Sequence, residues 1–123
     1  MKNDKEKIKN DLKIRIYLWV LKLIKSIDQL PKGNSSQVMA NQIIRSGTSI
    51  GANYIEGQCA SSKKDFINFL YYSLKSANES KFWLALLRDT SKLEKDKAND
   101  LLRELDEICR ILGASLLTAK GRR

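Results

Sequence analysis

The sequence predicts an all-α protein folded as an up-down-up-down antiparallel four-helix bundle. Three observations predict it. Apolar residues recur at steps of three and four over four long segments, and no run alternates as a half-buried strand requires. A single proline, Pro31, leaves those segments otherwise uninterrupted. The connections between them are a few residues long, which antiparallel neighbours satisfy most simply. The 123 residues make one domain, with no internal repeat and no linker.

The first helix is predicted over about residues 4–29. Ile8, Leu12, Ile16, Trp19, Leu23 and Ile27 form one apolar line, and Ile14, Tyr17, Leu18, Leu21 and Ile24 form a second beside it. An arc this wide is buried on more than one side, and in so small a domain the second side is expected to be a subunit interface. Leu30 to Gly33, with Pro31 inside it, ends the helix.

The second helix is expected over about 35–56, with Asn34 and Gln37 as a capping box and Gly57 as the stop signal. Its middle, Arg45 to Gly57, organises the chain. Each interior glycine costs a helix about 1 kcal/mol relative to alanine, so Gly47 and Gly51 imply an offsetting gain, the close approach of another helix. Gln42, Arg45, Ser46, Ser49, Asn53 and Glu56 fall on one polar stripe. Arg45, Ser49, Asn53 and Glu56, with Glu79 of the next helix, are expected to form a structural polar network, within the bundle or across a subunit contact. Removing either carboxylate would then strand a buried partner.

The third helix is predicted over about 62–89, opened by a Ser62–Asp65 capping box, with Phe66, Leu70, Leu74, Ala77, Leu84 and Leu87 as its core line. Phe69, Tyr72 and Trp83, and then Ile67, Tyr71 and Phe82, widen its apolar arc as well. The last helix, about 94–118, follows a Ser91–Glu94 capping signature and turns Leu101, Leu105, Ile108, Leu112 and Leu116 inward. Residues 120–123 are a basic tail.

Twenty-three basic residues against 14 acidic ones give a formal charge of +9, which favours anionic partners, nucleic acid first. Lys5, Lys9 and Lys13 step along the first helix. Lys63, Lys64, Lys75, Lys81 and Arg88 of the third are the candidates for phosphate contact. No segment has the roughly 20 apolar residues of a membrane span, and no signal peptide is recognisable, so a cytoplasmic protein is expected. Cys59 and Cys109 match no metal or redox spacing and read as small apolar side chains.

Histidine is absent, which removes Ser-His and Cys-His nucleophile pairs and the Glu-x-x-His metal ligands of di-iron bundles. The glycine spacing is no phosphate loop, since neither a preceding strand nor a Gly-Lys-Ser/Thr triplet accompanies it. The residues therefore predict no enzyme, no metal and no cofactor.

Several motifs stand in order along the chain: Leu30-Pro31, Arg45 to Gly57, Ser61 to Leu70, Ser73 to Glu79, and Trp83-Leu84. With them the chain from Leu12 to Leu117 resembles the four-helix-bundle family encoded in intervening sequences of 23S ribosomal RNA genes. Ser49, Ile50, Asn53, Glu56 and Gly57 match the family's central run, and Tyr54-Ile55 depart from it conservatively where Ile-Ala is common. The resemblance implies a barrel-like homo-oligomer, a pentamer, with no enzymatic activity. The related accessory variability determinant of diversity-generating retroelements implies partners: nucleic acid and a reverse transcriptase. Two functions are thus expected in competition, an RNA-binding basic oligomer and a scaffold that docks a protein partner such as a reverse transcriptase.

Overall fold

The structure, a computed structural model, describes the backbone of residues 4–121 and the side chains of 11–121. The side chains of Lys5, Ile8 and Lys9, and the tail residues Arg122 and Arg123, lie outside that description. Four helices follow one another: α1 (Asp4–Ile27), α2 (Asn34–Gln58), α3 (Lys63–Asp89) and α4 (Lys95–Ala119). Among the described residues no helix is long and apolar enough to cross a membrane.

Local chemistry sets the ends. After Ile27 the chain leaves α1 through turns closed by Gln29 N–H to Ser26 O and Leu30 N–H to Ile27 O. Gly33 precedes α2 with φ +150°, a backbone angle that side chains other than hydrogen rarely allow. The expected Asn34–Gln37 capping box does not form: Asn34 is already helical, and no side chain caps α2. Nor does Gly57 stop this helix, which runs on to Gln58 with Gly57 buried in it. Ser62 does cap α3, its Oγ accepting from Asp65 N–H at 3.1 Å. At α4 the cap is Glu94, whose carboxylate accepts from Asp96 N–H at 3.2 Å, while Ser91 takes a left-handed turn conformation at φ 59°.

Each helix packs on two others, α1 on α2 and α4, and α3 on α2 and α4, with the α2–α3 contact the most extensive. Among the described residues the diagonal pairs α1–α3 and α2–α4 bring no Cα atoms within 8 Å of one another, so the helices surround one core. Leu12, Ile16, Trp19, Leu23 and Ile27 fill it from α1, and Leu101, Leu105, Ile108, Leu112 and Leu116 from α4. From α3 the core takes Leu70, Ala77, Leu84 and Leu87, whereas Phe66 and Leu74, expected beside them, pack only at its margin.

Small residues set the spacing of α2 from both neighbours. A methyl group on Gly47 would lie 2.5 Å from Leu23 Cδ2 and 3.3 Å from Trp19 Cζ3, and one on Gly51 3.3 Å from Ile16 Cγ2. Both glycines therefore let α1 approach, as their spacing predicts. On the other side Gly57 abuts Phe69, where an added Cβ would come within 3.1 Å of the Phe69 Cβ. Between Gly57 and the middle of the helix, buried serines replace apolar side chains. Ser73 Oγ donates to Ile50 O at 2.8 Å, and Ser46 Oγ lies 2.8 Å from Ser80 Oγ. Ser46, placed on the polar stripe by spacing, is thus wholly buried.

Candidate functional site

The polar cluster at the α2–α3 seam forms around one carboxylate. Glu79 Oε2 accepts from Arg45 Nη2 and, at 3.0 Å, from the Trp83 indole N–H. Arg45 also donates to Gln42 Oε1, at 3.0 Å from Nη2. The remaining expected members do not join. Ser49 Oγ donates to Arg45 O at 2.7 Å and Asn53 Nδ2 to Ser49 O at 2.9 Å, each within its own helix. Glu56 is exposed, and no hydrogen bond or ion pair links it to Arg45 or Glu79. The Arg45 and Glu79 side chains are 57% and 38% exposed, so the single chain does not bury this pair. The cost foreseen for stranding a buried charge therefore does not apply within the single chain.

The basic candidates divide into two sets. Lys81 Nζ binds Asp106 at 2.9 Å across the α3–α4 seam, and Arg88 binds Asp89 at 2.9 Å and Asn99 Oδ1 at 2.9 Å. Hydrogen bonding to Lys81 holds the Asp106 carboxyl below its ordinary range, and the Asp106 bond raises Lys81 in turn. Both cations are committed to structure. Lys63, Lys64 and Lys75 are exposed on α3 and enter no ion pair among the described residues. The outer face of α4, by contrast, neutralises itself with Arg103–Asp100 and Arg110–Glu107 pairs.

The second apolar line of α1 stays uncovered except at Ile24, which is half-buried. Ile14, Tyr17 and Leu18 are 55%, 64% and 56% exposed, and Leu21 is exposed beside them. Between α1 and α2 this face continues into a groove of about 700 Å³ lined by Ile14, Tyr17, Val20, Ala52 and Ile55. Of the cysteines, Cys59 is exposed, against expectation, and Cys109 is half-buried, 3.9 Å from Asn78 Oδ1, where burial pushes its thiol up. Among the described residues no group of Cys, Asp and Glu could hold a metal ion.

This bundle has close relatives by shape and sequence. A family model described as 23S rRNA-intervening sequence protein matches residues 12–114. The chain belongs to that family. Its fold agrees with a crystal structure from Bacteroides thetaiotaomicron, described as a protein of unknown function from the S23 ribosomal protein family. The two superpose with a TM-score of 0.80 at 34% sequence identity, over 88% of this chain and 96% of the other. No curated protein matches. Within the 23S rRNA-intervening sequence family, then, this chain contributes a bundle with small residues at the α2 seams, an uncovered aliphatic face on α1 and free lysines on α3.

Two features escaped sequence reasoning. Ser73 and Ser80 face the core although serine reads as a surface residue; their spacing of seven, in line with Ala77, was the available signal. The commitment of Lys81 and Arg88 to acidic or amide partners on α4 and the α3 end depends on tertiary pairing, which spacing within one helix does not reveal.

Proposed function

We propose that this protein is a non-enzymatic, basic homo-oligomer that binds RNA and is linked to 23S rRNA intervening sequences. The observation that carries the reading is the uncovered α1 face of Ile14, Tyr17, Leu18 and Leu21, on a bundle whose core is already filled from all four helices. Contiguous apolar surface of this kind marks an interaction site, and identical copies are its commonest occupants. The protomer in this reading is an up-down-up-down antiparallel bundle. Contacts that pair 15 with 104 and 19 with 101, or 46 with 80 and 50 with 73, support opposed directions for neighbouring helices. Closure into a pentameric barrel, as the family resemblance implies, would repeat the free lysines of α3 around the ring. Phosphate backbones would then meet many weak positive contacts, with little sequence preference and strong salt dependence. The absence of histidine supports a binding role over catalysis.

Multi-angle light scattering with and without nuclease tests both halves. The expected result is a mass several times that of the 14.1 kDa chain, with copurifying nucleic acid removed by nuclease. A 14 kDa particle at micromolar concentration would remove the oligomer. The α1–α2 groove favours one competing reading, a scaffold that docks a protein partner such as a reverse transcriptase. Partner capture that survives the salt at which RNA dissociates would select it.

A further inference from the structure

Among the described residues, exposed apolar side chains group on α1 and on α3, with Val38, Ile55 and Leu117 exposed elsewhere. On α1 they are mainly aliphatic and continuous. On α3 they are aromatic and interleaved with lysine. Lys64, Asn68, Tyr71 and Lys75 recur at steps of four, three and four, so they share one outward line, with Tyr72 beside it. Its four residues carry two positive charges and no negative one, and the next residue along it, Glu79, is already paired with Arg45. Tyr71 and Tyr72 are 48% and 47% exposed. Their ring centroids lie 6.4 Å apart, and Lys75 Nζ sits 5.9 Å from the Tyr71 centroid. Phe69 meets Tyr72 edge-on at 6.3 Å and steadies it.

We infer that this ridge is a stacking platform for single-stranded RNA, an inference that rests on the RNA-binding reading and narrows it. A tyrosine ring gives a base a flat apolar surface at low entropic cost, and any base has a π-face to offer. The two rings stand farther apart than the about 3.4 Å rise between stacked bases, so they suit bases splayed from one another. Only an unpaired strand can present such bases; a duplex keeps its faces inside the stack. Lys64 and Lys75, about 16 Å apart along the helix, flank the rings where the sugar-phosphate backbone must run. A second copy of the chain is a poorer occupant, since covering this ridge would desolvate two lysines that enter no ion pair among the described residues.

The test uses fluorescence anisotropy on the full chain with a labelled 12-nucleotide oligouridylate and, separately, a 12-base-pair RNA duplex, both at low salt. Tyr71→Leu combined with Tyr72→Leu keeps apolar bulk but removes the π-faces. The expected outcome is about a tenfold or greater loss on the oligouridylate, little change on the duplex, and an unchanged mass by light scattering. Lys75→Ala, which spares both rings, is expected to weaken oligouridylate binding and to lower its salt slope by about 0.7. Equal losses on both RNAs, or no loss on either, would overturn the platform while leaving RNA binding intact. A drop in mass with the leucine pair would show a subunit contact there instead. Wild-type protein that binds neither RNA would overturn the RNA-binding reading itself, and the platform with it.

Discussion

Ser46 and Ser80 bring their hydroxyl oxygens within 2.8 Å of each other at the buried centre of the α2–α3 seam. Ser80 Oγ also lies 2.8 Å from Ser76 O, a carbonyl that can only accept. Each hydroxyl has one proton, so Ser80 donates to Ser76 and Ser46 donates to Ser80. This order makes the pair unequal. Ser46→Ala removes a donor and leaves Ser80 bonded, so it is expected to cost less than about 1 kcal/mol. Ser80→Ala leaves Ser46 with only the long 3.4 Å contact to Ile43 O and is expected to cost about 1–2 kcal/mol. Urea denaturation of both variants measures the difference; equal losses would refute the assigned direction.

Two glycines inside helices are expected to respond to alanine with opposite signs. At Gly47 the new methyl meets Leu23, itself fully buried, at 2.5 Å. Overpacking of about 1–3 kcal/mol there outweighs the gain of about 1 kcal/mol in helix propensity. At Gly113 in α4 nothing lies within 4 Å of the added atom. Gly113→Ala should therefore raise the melting temperature and Gly47→Ala lower it. Thermal unfolding followed by circular dichroism gives both signs.

The fold was largely legible because its strongest determinants are periodic and local. Leu101, Leu105, Ile108, Leu112 and Leu116 announce the α4 core at helical spacing, and Gly47 and Gly51 announce a close neighbour. What spacing could not say is which neighbour. Gly57 carries the composition of a stop signal, yet it serves as a notch for Phe69, a residue twelve positions later. The site was less legible for the same reason. Lys75 and Lys81 look alike within α3, and only Asp106 on α4 separates a free cation from a committed one. Glu56 and Glu79 likewise read as equals until α2 and α3 pack and put Arg45 beside Glu79 alone.

The bidentate Arg15–Glu104 pair, with bonds of 2.7 and 2.9 Å, ties α1 to α4. The hydrogen bond from Arg15 holds the Glu104 carboxyl below its ordinary range, against a smaller opposing effect of burial. A carboxyl depressed in the folded state adds stability that is present above its unfolded value and lost as pH falls through the folded one. Both side chains are more than a third exposed, so solvent screening limits the term to about 0.5–1 kcal/mol. Glu104→Gln should thus be less stable than wild type at pH 7, and the gap should close on acidification through the carboxylate range. Melting curves from pH 7 to about pH 3 follow it.

Charge placed on the α1 face should separate assembly from folding. Leu18 is more than half exposed in the single chain, so Leu18→Glu removes little core packing. In an assembly that covers this face, the same glutamate would be buried without a partner and cost several kcal/mol per contact. The expected outcome is a particle reduced to the mass of one chain, with helical circular dichroism retained. An unchanged mass would place the subunit contact elsewhere.

Lysines of the two sets should fail in different ways. Lys63 and Lys64 are free in the structure, and each is expected to contribute through phosphate neutralisation alone. Lys63→Ala with Lys64→Ala should leave the melting temperature near wild type. The double variant should weaken single-stranded RNA binding and reduce the slope of log affinity against log salt by about 1.4. Lys81→Ala instead leaves Asp106 without its amine at the α3–α4 seam, in a pair exposed enough that the loss is about 1 kcal/mol at most. Its effect should appear in stability, with the salt slope unchanged. Titrations at three or more salt concentrations, beside melting curves of the same preparations, distinguish the two behaviours. A lowered slope for Lys81→Ala would mean that RNA competes with Asp106 for this amine, and the division of the α3 lysines into free and committed sets would be lost.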